Sequence, residues 1–226
     1  MPERRSTPRQ PPRRGVTLAA AVEPMRDRGE RRARPRGDTT RERVIAEAAT
    51  CVVEEGFAGA SASRIAERAG VTWGVIQYHF GDRNGLFSAV ARAGYEQFQA
   101  CLDDAPMPET PLRARVAAVV DAGWRAYGSP LGRASLEILI NTRSSRASDP
   151  DHAAELLECA RGRNRIGEQL LGLRRPGRSH GAIEQLLWAA LRGFAMTLMF
   201  TPSDYDFAAE REALVDVLTA ALEPLR

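Results

Sequence analysis

Residues 61–80, SASRIAERAGVTWGVIQYHF, predict two short helices joined by a tight turn. Apolar residues recur at helical spacing after Ser61, whose hydroxyl can cap the first helix. Gly70 follows them and can take the left-handed conformation that ends a helix. Thr72 is a second capping candidate, so we expect residues 73–79 to form the second helix. Helix N-termini of this kind also suit an anion such as a phosphate. The stretch therefore predicts a helix-turn-helix.

One face of the second helix is expected to point outward, because Ile76 and Phe80 face the core. A short helix that presents its N-terminal residues in this way is the geometry that enters a DNA major groove. The outward residues of this predicted recognition helix are Trp73, Gly74, Val75, Gln77 and Tyr78.

The run from Thr40 to Phe98, above all AERAGVTWGVIQYHFGDRNGLF, resembles the N-terminal DNA-binding domain of the tetracycline-repressor (TetR) family of transcriptional regulators. A capped helix precedes the helix-turn-helix, Tyr-His-Phe ends it, and a basic residue opens the apolar helix that follows. The resemblance implies an all-α fold, with a three-helix DNA-binding domain followed by a helical domain that binds a small molecule and dimerises.

Several polar residues match the family's DNA-contacting positions. The resemblance implies phosphate contacts for Tyr78, His79 and Arg83; the alternatives are that the first two only cap a small core and that Arg83 is a solvated charge. Arg64 is either a DNA contact or the partner of Glu67 or of the neighbours of Arg68. The predicted DNA-binding residues are Ser61, Arg64, Thr72, Trp73, Gly74, Val75, Gln77, Tyr78, His79 and Arg83.

Two residues depart from the family pattern. Trp73 replaces the usual basic residue and offers stacking or packing on a thymine methyl group instead. Gln77 stands where an aromatic residue is common, and its amide can bond adenine N6 and N7 together; the alternative is a plain helix-stabilising glutamine. Gly74 allows close backbone approach, and Val75 can contact a thymine methyl group. We therefore expect the operator to differ from those of relatives.

The composition argues against an enzyme. The chain has 226 residues and a formal net charge of +3, and all of its 32 basic residues are arginine. The absence of lysine excludes GxxxxGK phosphate loops, Schiff-base lysines and SxxK nucleophiles. The three histidines lack paired metal-ligand spacing, and no GxSxG motif occurs. We expect no catalytic residues, no metal and no cofactor.

Residues 1–38 carry 11 arginines and 5 acidic residues with little apolar periodicity, so we expect a disordered Arg/Pro-rich extension. It is either an arm that contacts DNA, an inert leader, or a segment upstream of a true start at Met25. No stretch is apolar enough to span a bilayer or to act as a signal peptide, and no CxxC pair occurs. We expect a cytoplasmic protein with no membrane partner.

Three prolines between Asp103 and Pro111 predict a domain boundary. Residues 39–102 are then the DNA-binding domain, whose first helix ends at Gly56. Residues 110–226 are the helical effector-binding and dimerisation domain, without any strand pattern. Its helix starts are predicted at Thr110-Pro111, Ser129-Pro130 and Asp149-Pro150.

The last two helical patterns carry wide apolar stripes that must be buried. They pack either within one subunit or, as the resemblance implies, in a four-helix bundle with a second copy. We expect a homodimer that presents two recognition helices to a roughly palindromic double-stranded operator. The predicted interface residues are Ile183, Leu187, Leu191, Phe194, Leu214, Leu218 and Leu222.

Large apolar side chains of the second domain are accompanied by few charges, which suits a cavity for a small apolar or aromatic effector, although an ordinary core uses the same residues. The predicted ligand-binding residues are Trp124, Tyr127, Glu137, Asn141, Trp188 and Met199. We expect a ligand-responsive repressor that the effector releases from DNA. The alternatives are a regulator of the same fold without an effector and an all-helical enzyme.

Overall fold

The computed structural model describes residues 36–108, 110–143, 178–201 and 205–225. The predicted helix start at Asp149-Pro150 and residues 1–35 of the predicted extension lie outside them. Within the described part no strand occurs, which confirms the all-α prediction. The helices are α1 (Arg36–Gly59), α2 (Ala62–Arg68), α3 (Trp73–Phe80), α4 (Arg83–Asp103), α5 (Leu112–Gly128), α6 (Pro130–Asn141), α7 (Arg178–Thr197) and α8 (Ala208–Leu222), followed by a 3-10 turn, Glu223–Leu225.

The helix-turn-helix forms largely through the caps that its sequence predicts. The Ser61 hydroxyl accepts a hydrogen bond from the backbone N–H three residues on, at 3.2 Å. Gly70 has a φ of +61°, and the Val71 N–H donates to the Ala66 carbonyl at 3.0 Å, so a left-handed glycine closes α2 as expected. Thr72 occupies the N-cap position of α3, but its side chain makes no capping bond.

Other helix ends follow the same local chemistry. α1 is interrupted at Gly56, which has φ +75° and ψ 165°, where the sequence predicts its end. The Ser129 hydroxyl caps α6 by accepting from the Gly132 N–H at 2.9 Å. The predicted start of α5 shifts by one residue, because Pro111 is the extended N-cap residue and the helix begins at Leu112.

The N-terminal cluster is the hydrophobic core around the helix-turn-helix. It joins α1, α2, α3 and the first half of α4 around Ile65, Ile76 and Phe87. Ala134 and Ile138 of α6 are buried in the same cluster. A helix from beyond the predicted boundary, α6, therefore supports the domain before it, and the division into two domains stays a prediction.

The C-terminal cluster joins the end of α4 to α5, α7 and α8. Phe98 of α4 packs against Tyr127 and Trp188, with ring centroids 5.3 and 5.1 Å apart. α4 therefore contributes to both clusters.

α4 and α6 approach each other closely at Gly94. A Cβ atom at this position would lie 2.1 Å from the Ser135 hydroxyl oxygen. Ser135 is buried, and its hydroxyl lies within hydrogen-bond distance of the carbonyls of Leu131, at 2.7 Å, and of Val90 on α4, at 3.3 Å. Any side chain beyond hydrogen at residue 94 would separate the two helices.

Candidate nucleic-acid interface

The outward face of α3 consists of residues that the sequence places there. Ile76 is fully buried beneath it, whereas Tyr78 is 85% exposed and Trp73 is 43% exposed. Gln77 is exposed and Val75 is half-buried. A short helix held from below and carrying an amide and aromatic groups on its open side can approach base edges in a major groove.

Tyr78 and His79 end this face. Their rings meet edge to face with centroids 5.0 Å apart, and His79 is half-buried while the tyrosine is open to solvent. Gly74 is also exposed, and a Cβ atom there would make only an ordinary contact, 3.7 Å from the Thr72 hydroxyl. Packing within the chain therefore does not require glycine at this position. Close approach by an external partner remains a reason for a glycine here.

The two arginines of α2 are paired within the domain. Arg64 lies 3.0 Å from the carboxylate of Glu55 and 3.0 Å from that of Glu67. Arg68 lies 2.7 Å from Glu54 and 3.0 Å from Glu55, and its hydrogen bond is the main cause that holds the pKa of Glu55 below the ordinary value. Arg64 therefore forms the ion pair with Glu67 that is one of its expected alternatives, and its DNA contact stays a prediction.

The guanidinium of Arg83 points into the chain. Its Nε donates to the Ala60 carbonyl at 3.1 Å and its Nη2 to the Phe57 carbonyl at 2.5 Å. It lies over the rings of Phe57 and Phe87, 4.7 and 4.5 Å from their centroids, and burial lowers its pKa. These bonds fasten the start of α4 to the end of α1, which indicates a positioning role, and the phosphate contact stays a prediction.

Arg41 is a cation beside the recognition helix that the sequence candidates omit. Its guanidinium lies 5.4 Å from the ring centroid of Phe80, the last residue of α3. The side chain is half-buried in the first part of α1. The contact joins residues on different helices, so the sequence pattern within either helix does not predict it.

Four of the predicted ligand-binding residues line two cavities. A cavity of about 500 Å³ between α1, α6 and the end of α7 is lined by Glu137, Asn141 and Met199, among others. A smaller cavity of about 180 Å³ between α4, α5 and α6 has Tyr127 in its wall. Glu137 and Asn141, the polar residues among the predicted ligand-binding residues, therefore line the larger cavity.

The two tryptophan candidates are core residues. Trp188 is buried in the C-terminal cluster, where its indole N–H donates to the Glu184 carboxylate at 3.1 Å. Trp124 packs on Phe207 with ring centroids 6.0 Å apart, and the guanidinium of Arg211 lies 5.3 Å from its ring. Neither lines either of these two cavities, and their predicted ligand contacts stay predictions.

The predicted dimer interface is already covered within one chain. Four of its residues are buried in the C-terminal cluster because α5 packs against α7 and α8, so the prediction is wrong for them: Leu187, Leu191, Leu218 and Leu222. The other three are partly buried against the same cluster: Ile183, Phe194 and Leu214. These stripes pack within the subunit, which was the alternative interpretation.

A different apolar surface is exposed on the last two helices, and we name it the outer stripe. On α7 it recurs at helical spacing on the side opposite the buried face, with Leu186 64% exposed. On α8, Val217 is 65% exposed. The outer stripe comprises Ala182, Leu186, Ala189, Gly193 and Met196 of α7 and Ala213, Val217 and Ala220 of α8.

Two further classes of site have no support in the described residues. None of the helices there has the length and apolar character needed to cross a membrane. In the same part of the chain, no three His, Cys, Asp or Glu side chains are grouped so that they could hold a metal ion.

The sequence model of the bacterial regulatory proteins of the tetR family matches residues 44–90, from α1 into α4. This segment, which contains the helix-turn-helix, is therefore similar to the TetR family. The chain is 40% identical over 53 residues to the HTH-type transcriptional repressor AcnR of Corynebacterium glutamicum. It is 33% identical over 78 residues to the HTH-type transcriptional regulator BetI of Burkholderia thailandensis.

These sequence matches cover 24% and 31% of this chain, and the chain spans only 28% and 37% of the length of the two relatives. The fold similarity extends further. A transcriptional regulator from Rhodococcus sp. Rha1 superposes with a TM-score of 0.65 at 22% identity, over 81% of this chain and 96% of its own. The similarity in fold therefore extends to helices beyond residues 44–90.

Proposed function

We propose that the protein is a homodimeric, sequence-specific DNA-binding transcriptional repressor. The observation that carries the proposal is the outward face of α3, where Trp73, Gln77 and Tyr78 are exposed while Ile76 anchors the helix in the core of a TetR-family domain. In the proposed complex Gln77 reads an adenine and the Tyr78 hydroxyl bonds a phosphate. The match to a repressor supports repression as the mode of action.

Dimerisation is assigned to the outer stripe. A contiguous exposed apolar surface is typical of protein–protein interfaces, and a second copy is the partner that a palindromic operator requires. Two copies of α3 would then read half-sites about 34 Å apart, the length of one turn of DNA. The larger cavity supports an effector that changes this spacing. Without an effector, the second half of the chain would serve dimerisation alone.

The direct test is selection of bound sequences from a random duplex library with the full-length protein. We expect a palindromic consensus, bound with a Kd of about 10 nM or tighter and about 1,000-fold more weakly when scrambled. Tyr78→Ala should weaken binding to all sequences, whereas Glu96→Ala, an exposed substitution on α4, should not. Failure to enrich any sequence would refute the proposal.

A further inference from the structure

The α6 cavity, as we name the 500 Å³ cavity, has its polar side chains along one side. Arg133, Glu137 and Asn141 follow one another at intervals of four residues and so share one face of α6. The remaining walls are mainly apolar and include Val53, Ile140, Leu198, Met199 and Phe200. Apolar walls with a few convergent polar groups are typical of sites for organic molecules.

Two of the three polar side chains have partners inside the chain. The Glu137 carboxylate accepts a hydrogen bond from the Phe57 N–H at 2.6 Å. The Asn141 amide donates to the Glu137 carbonyl at 2.9 Å. Arg133 differs from them, because its Nε is buried and has no hydrogen-bond partner among the described residues. The Nε itself is not accessible, so a ligand would bond the guanidinium where Arg133 lines the cavity, and an anionic acceptor would do so most strongly.

We propose that the α6 cavity binds an elongated apolar carboxylate, whose head group pairs with Arg133 and whose hydrocarbon part lies against Ile140, Leu198 and Met199. The planar guanidinium matches the geometry of a carboxylate. An alcohol head would offer the guanidinium no charged acceptor, and an ammonium head would meet a like charge. The inference rests on the proposed function and deepens it, since it names the class of effector.

The bound carboxylate acts on the DNA-binding domain through Glu137. The carboxylate paired with Arg133 lies about one helical turn from the Glu137 side chain, so the two negative charges repel each other across the cavity. Glu137 holds the Phe57 N–H, while the carbonyls of Phe57 and Ala60 hold Arg83 at the start of α4. Weakening the hydrogen bond between Glu137 and Phe57 loosens the backbone to which Arg83 is bonded, and operator affinity falls.

Isothermal titration calorimetry of the full-length protein with decanoate, in the absence of DNA, tests the site. We expect Arg133→Gln to weaken decanoate binding by about tenfold or more. Arg125→Gln is the matched control, because this arginine is exposed on α5 and does not line the cavity. Decanol and decylamine, of the same chain length, should bind the wild-type protein about tenfold more weakly than decanoate.

Equal decanoate affinity of the wild type and Arg133→Gln overturns the proposal, as does tighter binding of decylamine. If Arg133→Gln does not fold, as judged by circular dichroism, Met199→Trp serves instead by filling the cavity from its apolar side. Undiminished decanoate binding to that variant again overturns the proposal.

Operator affinity with and without decanoate separates this inference from the proposed function. An operator bound with unchanged affinity and no heat of decanoate binding overturns the inference and leaves the proposed function standing. Decanoate binding through Arg133 in a protein that selects no operator supports the site and overturns the proposed function. Decanoate binding that leaves operator affinity unchanged overturns the coupling through Glu137.

Discussion

The carboxylate of Glu137 accepts a hydrogen bond from the backbone N–H of Phe57 at 2.6 Å, 80 residues away in the chain. The carbonyl of Phe57 in turn accepts a hydrogen bond from Arg83. Both backbone groups of one residue, directly after the break at Gly56, are therefore held by side chains from α6 and α4. The last turn of α1, after the break, depends on these two bonds.

Replacing Glu137 with Ala should lower the free energy of unfolding by about 1.5–3 kcal/mol, because a hydrogen bond to a charged acceptor is lost and a backbone donor is left without its partner. Glu137→Gln keeps an acceptor oxygen and should recover part of the loss. Urea denaturation followed by circular dichroism measures both. A Glu137→Ala variant no less stable than Glu96→Ala would show that the Phe57 N–H finds another acceptor.

Arg83→Ala should reduce stability by about 3 kcal/mol, because two charge-assisted hydrogen bonds and the contacts with two aromatic rings disappear. Since its guanidinium faces the chain, the salt dependence of DNA binding should keep its slope. The measurements are urea denaturation and operator affinity at several salt concentrations. A slope that falls by about one unit at unchanged stability would restore the phosphate contact expected from the sequence.

Arg41→Ala should have the opposite effects to Arg83→Ala on stability and on the salt dependence of DNA binding. If Arg41 contacts a phosphate beside α3, the slope of log affinity against log salt should fall by about 0.9, with little change in stability. Fluorescence anisotropy with a labelled operator measures the slope, and Arg125→Ala provides a control for loss of a distant positive charge. Identical slopes for the two variants would remove Arg41 from the interface.

Gln77→Ala should relax discrimination at one base pair of each half-site by about 1–3 kcal/mol, because the amide is expected to bond an adenine edge. Affinities for single-base operator variants measure this loss. A uniform decrease across all of them would mean that Gln77 only supports the helix.

Leu186→Asp, with a charge on the outer stripe, should dissociate the dimer while each subunit stays folded, because the side chain is exposed in the single chain. Leu218→Asp should instead unfold the protein, since an unpaired buried charge costs several kcal/mol. Sedimentation gives the mass and circular dichroism the folding. A stable Leu186→Asp dimer would place the interface elsewhere.

Local chemistry explains which features the sequence predicts correctly. Ser61 and Gly70 act on atoms within a few residues of themselves. Their caps can therefore be inferred from the local sequence alone. Arg83 bonds carbonyls at the end of another helix, and no spacing within its own helix indicates them. On α7, adjacent Leu186 and Leu187 are both apolar, and only the tertiary packing shows which of them the subunit covers.

Gly94 leaves α4 and α6 no room to approach further, and the buried Ser135 hydroxyl lies within hydrogen-bond distance of carbonyls on both helices. Sliding one helix past the other would break this fit, so we expect α4 and α6 to move as one rigid body. α4 begins three residues after α3 ends. A displacement that starts on α6 should therefore reorient α3 against the DNA, rather than being absorbed by repacking between the two helices.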